Sequence, residues 1–90
     1  MNVDRSVLQQ ALYQLEEPLA SIEHVRWSHW QSYMHNQAEL QTDGSLLIPA
    51  ELARRWTRQM MTPYSSLSEE EKESDREQVR VYLNFIIENL

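Results

Sequence analysis

Three histidines, His24, His29 and His35, are the first side chains in this sequence that could hold a metal or move a proton. On a helix, His24 and His29 stand about 140° apart around the axis. Neither that spacing nor the six-residue step from His29 to His35 is the i, i+4 interval that puts two imidazoles on one face. The three are therefore read as ordinary structural histidines, and no metal is expected. Glu69-Glu70-Glu71 reads as a helix start, not as a carboxylate pair for acid–base work. No serine sits in a Gly-flanked elbow, and with Gly44 the only glycine there is no phosphate-cradling loop. The absence of cysteine excludes a thiol nucleophile, a thiolate metal site and a disulfide. The expectation is a protein that binds rather than catalyses, with no cofactor.

The other candidate chemistry is aromatic and cationic. Three tryptophans and four tyrosines are many for 90 residues. Trp30 and Trp56 fall on apolar stripes and read as core, since aromatic side chains dominate the cores of small domains. Trp27 lies off the main stripe, beside Arg26 and one turn after His24. An exposed ring with a guanidinium nearby suits a planar anionic ligand, which would stack on the one and pair with the other. Seven of the eight basic residues are arginine, and they cluster: Arg54, Arg55 and Arg58 together, then Arg76 and Arg80 with Lys72. Arginine grips phosphate or carboxylate bidentately, although for each one solubility and helix pairing are the competing explanation.

These residues must be positioned by helices. Asp4 is a plausible cap for a first helix over 4–16, with Val7, Leu8, Ala11, Leu12 and Leu15 on one face. Pro18 suits the first turn of a second helix reaching Asn36, joined to the first by a kink or a loop. Its apolar face carries Leu19, Ile22, Val25 or Arg26, Trp30 and either Tyr33 or Met34. Thr42-Asp43-Gly44-Ser45 is a turn, and Leu46-Leu47-Ile48 an extended connector. Pro49 opens a third helix over Ala50 to Met61, with Leu52, Trp56, Gln59 and Met60 as its buried side, and Thr62-Pro63 stops it. Ser68 and Glu71 form a capping box for the last helix. Its apolar periodicity begins only at Val79, so its first half reads as a solvated acidic rod. The fold class is all-α: a small bundle of about four helices in a single domain, residues 1–90, with a short extended connector near 45–48.

Fourteen acidic and eight basic residues leave a net charge of −6, which argues against duplex nucleic acid as a partner. No segment is apolar enough for a membrane span, the polar opening Met1-Asn2-Val3-Asp4-Arg5 is unlike a signal peptide, and a cysteine-free chain suits the cytoplasm. A thin core makes a homo-oligomer the expected state.

Two segments together resemble the ryanodine-receptor-type repeat domain. One is Ile22-Glu23-His24-Val25-Arg26-Trp27, similar to that family's His-x-x-Trp helix. The other is Pro63-Tyr64-x-x-Leu67 followed by Lys72-x-Ser74-Asp75-Arg76-Glu77, similar to its Pro-Tyr-x-x-Leu turn and Lys-x-Ser-Asp-Arg helix start. The resemblance spans roughly residues 8–83. It departs in lacking the Gly-Trp pair that often follows the first motif and in carrying Gln31 where many members have a basic residue. It implies an all-α fold with the two motifs facing each other, and a site for a nucleotide or nucleotide-derived molecule. His24, Trp27, Tyr64, Lys72 and Arg76 would line that site, with Arg26 and Arg58 in support. A small phage or prophage protein that sequesters a second messenger of bacterial defence would fit such a module. The competing expectation is an acidic interaction module, an adaptor or inhibitor, that docks the rod from Glu69 to Glu77 on a basic protein surface.

Overall fold

Pro18 decides how the chain begins. It has no N–H to give the Gln14 carbonyl, and its ring crowds that oxygen, so one continuous helix cannot pass through Gln14 and Leu15. In the computed structural model, which describes residues 4–90, the chain accordingly forms two helices, α1 (Arg5–Tyr13) and α2 (Glu16–Gln37), with a tight turn between them. Pro18 then sits inside the first turn of α2, where its missing donor costs nothing. Asp4 caps α1 by accepting from the Ser6 N–H at 2.8 Å. Residues 1–3 of the expected domain lie outside the described residues.

After α2 the chain makes a minimal hairpin. The strands β1 (Glu39–Leu40) and β2 (Leu46–Leu47) pair antiparallel, Glu39 opposite Leu47 and Leu40 opposite Leu46. The extended connector is thus one arm of a two-stranded sheet. Asp43 accepts from the Ser45 N–H at 2.9 Å, and Gly44 takes φ +89°, a conformation that would strain any side chain.

Helix α3 (Ala50–Met61) has the expected bounds, but Pro49 stands before its first turn, in extended conformation, not within it. Thr62 is held extended by the following proline, and its hydroxyl donates to the Arg58 carbonyl at 2.6 Å. A 3₁₀ turn over Tyr64–Ser66 leads to α4 (Glu69–Glu88). The capping box at its start is complete. The Glu71 N–H donates to Ser68 Oγ at 3.1 Å, and the Ser68 N–H donates to Glu71 Oε1 at 3.3 Å.

The all-α class holds: the described residues are 76% helical, counting four α-helices and the 3₁₀ turn, with one small two-stranded sheet. Their packing is sparse. Leu15, 8% exposed, is the only buried residue among those described. The radius of gyration is 18.3 Å and the extents are 60 × 33 × 17 Å, whereas a compact chain of this length would have a radius near 12 Å. Helices α2 and α4 run antiparallel: Tyr82 meets Glu23, and one cleft is flanked by Trp30 together with Ser74 and Asp75. Ile22, Tyr82, Phe85 and Ile86 are half-buried. Four burial expectations fail. Val7, Leu8 and Leu12 of α1 are exposed, Val25 of α2 and its alternative Arg26 are both exposed, Met60 of α3 is 78% exposed, and Trp30 is only half covered. Each lies on a genuine apolar stripe, but a stripe is buried only where another element reaches it, and here few do.

The cap of α4 is the strongest local signal in the chain. Replacing Ser68 by Ala should lower the unfolding free energy by about 1 kcal/mol, read as a shift of the urea midpoint at unchanged slope. An unchanged midpoint would show that α4 does not depend on its cap.

Candidate functional site

The expected site residues fall into three separate groups. His24 and Trp27, one turn apart on α2, stack with ring centroids 6.1 Å apart and planes at 15°. Trp27 stays about half exposed, and His24 is also within 3.5 Å of the Ser28 hydroxyl. Arg26 points elsewhere. It holds Glu23 bidentately, Nη2 to Oε1 at 2.6 Å and Nε to Oε2 at 3.2 Å.

Glu23 is also the anchor between helices, because the Tyr82 hydroxyl of α4 donates to its Oε2. The two donors, Arg26 first and Tyr82 second, pull the Glu23 carboxyl down from 4.5 to about 2. The same pairing holds the Arg26 guanidinium more firmly protonated than usual, with Glu23 as the main cause.

The second group surrounds Tyr64. Lys72 Nζ lies 5.8 Å from the centre of its ring and 3.8 Å from Glu69. Arg76 bridges Glu69 at 3.2 Å and Glu73 at 3.3 Å, and Arg80 pairs with Glu73 at 2.6 Å. Glu73 is held below its ordinary range by Arg80 and then Arg76. The first half of α4 is therefore a ladder of internal ion pairs, less bare than a solvated acidic rod. Tyr64, Arg76 and Arg80 border a shallow groove of about 470 Å³ with Asp75, Val79 and Leu83.

The third group contains only one of the expected residues, Arg58. It lines a cleft of about 640 Å³ between α3, the start of α4 and the middle of α2. Trp30 and Trp56 form the aromatic wall, edge to face at 6.2 Å and 60°, with Tyr33 stacked on Trp30 at 5.5 Å. Arg55, Arg58 and Gln59 come from α3, and Glu70, Glu71, Ser74 and Asp75 from α4. Glu71 is drawn below its ordinary range by Ser68, then Gln59, with the nearby Arg58 charge also contributing.

His24 and Trp27 border neither the cleft nor the groove. Within one chain the two motifs are thus not drawn into a single pocket. Trp30, Trp56 and Arg55 were not among the expected site residues. The two tryptophans sit on apolar stripes and so read as core; the spacing of Arg55 and Arg58, which flank Trp56, was the available clue. Among the described residues no three His, Cys, Asp or Glu side chains converge as a metal site would require, and no helix is long and apolar enough to cross a membrane. No family model, curated protein or solved structure matches the chain.

Glu23 ties α2 to α4 more strongly while ionised, because a carboxylate accepts from Tyr82 and Arg26 better than a neutral carboxyl does. Its contribution to stability is complete above its unfolded value near 4.5 and is lost as the pH falls toward 2. In a carboxyl NMR titration Glu23 should remain ionised at pH 3. Arg26→Gln should raise its pKa most, and Tyr82→Phe should raise it less. A Glu23 that titrates near 4.5 in the unaltered protein would contradict the anchor.

Proposed function

We propose that this chain is a binding module for a nucleotide or a nucleotide-derived signal, held in the cleft between α3 and α4. The observation that carries the reading is the set of groups facing that cleft. Trp30 and Trp56 offer apolar rings to a base, and Arg55 and Arg58 offer guanidinium groups to phosphate. Glu70 and Asp75 offer carboxylates that can accept from a ribose diol. A bare inorganic anion would meet those carboxylates without compensation; a nucleotide carries a hydrogen-bond donor for them. The carboxylates thus select against simple anions and for a sugar-bearing one.

The resemblance of the His24-x-x-Trp27 and Tyr64 to Arg76 segments to a nucleotide-associated domain family supports the same ligand class. Arg58, outside those segments but a supporting residue of the site the resemblance implies, also lines the cleft. The His24–Trp27 stack adds a second aromatic surface further along α2, open to solvent. The role proposed is sequestration of the ligand, as expected of a phage-borne sponge for a defence messenger.

The test is thermal unfolding with AMP, ADP-ribose and cyclic dinucleotides, each in excess. A ligand at about 100 times its dissociation constant stabilises by roughly 2.7 kcal/mol, a plain shift in a domain of this size. Arg58→Gln should weaken the effective ligand at least tenfold without loss of helical content. Stabilisation by none of the three classes, or equal stabilisation by inorganic phosphate, would overturn the reading.

A further inference from the structure

The cleft between α3 and α4 does not end where its tryptophan wall ends. Asp75 borders both that cleft and the groove beside Tyr64. Four-residue steps on a helix turn about 40° and rise about 6 Å. Glu71, Asp75, Val79 and Leu83 therefore form one slowly turning row along α4. Glu71 borders the cleft, Val79 and Leu83 border the groove, and Asp75 stands on the ridge between them. The cleft holds about 640 Å³ and the groove about 470 Å³, each within the size range of small-molecule sites.

The two cavities repeat one set of groups. In the cleft, Trp30 and Trp56 stand with Arg55 and Arg58. In the groove, Tyr64 stands with Arg76 and Arg80 beside the apolar Val79 and Leu83. Trp30 and Tyr64 are 44% and 49% exposed, so each ring keeps surface on which a base can stack. The groove arginines are committed only in part. Arg80 reaches Glu73 through Nη1, and the bonds from Arg76 to Glu69 and Glu73 both run through Nη1, while a guanidinium carries five N–H donors. Asp75 enters none of the ion pairs among the described residues. A carboxylate standing between two arginine pairs repels a phosphate placed over it and accepts from a hydroxyl in the same position.

We infer that the ligand is a 5′-phosphorylated dinucleotide lying across Asp75, with one base on the tryptophan wall and the other on Tyr64. This rests on the nucleotide reading of the cleft and extends the same ligand into the groove. The terminal phosphate falls to Arg55 and Arg58, the ribose hydroxyl beside the linkage to Asp75, and the linking phosphate to Arg76 and Arg80. A mononucleotide has one base, and leaves one aromatic platform and one arginine pair unused. Joining two units makes the second contact intramolecular, which raises affinity without any new group on the protein.

Isothermal titration calorimetry of the full chain with AMP and with the linear diadenylate pApA tests this. One pApA should bind per chain, at least about tenfold more tightly than AMP. Tyr64→Ala and Arg80→Gln, each checked by circular dichroism for intact helices, should each weaken pApA about tenfold and cost AMP less. Arg58→Gln should weaken both. Equal affinities for AMP and pApA would overturn the inference and leave the cleft reading standing, as would a pApA affinity indifferent to both groove variants. Binding of neither probe would overturn it too, and stabilisation by none of the ligands in the thermal screen would remove the cleft reading beneath it.

Discussion

Burial of apolar side chains is the dominant favourable contribution in a chain this small, and here the shortage of it governs everything else. Leu15 is buried where α1 turns into α2, and beyond it the helices touch through half-covered side chains. The arrangement of α2 against α4 is set by the Glu23 carboxylate, which holds Arg26 on its own helix and receives the Tyr82 hydroxyl from the other. Solvent-exposed hydrogen bonds and ion pairs contribute modestly. They can select which helix faces which, but they cannot replace a core. Local signals define the helices, therefore, and much of the apolar surface stays uncovered.

The cleft follows from that sparse packing. Where α3 approaches the start of α4 the two do not close on each other, and Trp30 and Trp56 remain partly accessible as a wall instead of becoming core. Arg55 and Arg58 reach the same space because they flank Trp56 on α3, while the glutamates of the α4 cap border it from the opposite side. The capping box thus has two consequences. It terminates α4 cleanly, and it holds Glu71 beside Arg58, which sets the balance of charge a ligand would meet there.

Features written in contiguous residues were legible in the sequence. The Ser68–Glu71 box, the bounds of α3 and the turn at Asp43-Gly44 each depend on neighbours within about four residues, whereas Pro18 announced an interruption without placing it: the first helix, expected to reach residue 16, ends at Tyr13. Burial was not legible in the same way. Val7, Leu8 and Met60 occupy apolar stripes, but periodicity states which side seeks cover without stating what supplies it. The bond between Glu23 and Tyr82 joins residues 59 apart, and no local pattern announces it. Of the site, Arg58 was readable from its cluster. Trp30 and Trp56 were assigned to the interior because a buried and a half-open tryptophan leave the same mark on a helical pattern.

The central claim is that this chain folds its helices while leaving most of its apolar surface in water. The slope of urea unfolding examines it most directly, since that slope grows with the surface newly exposed on unfolding. The account predicts a slope well below that of compact domains of the same length. A slope equal to theirs would contradict it.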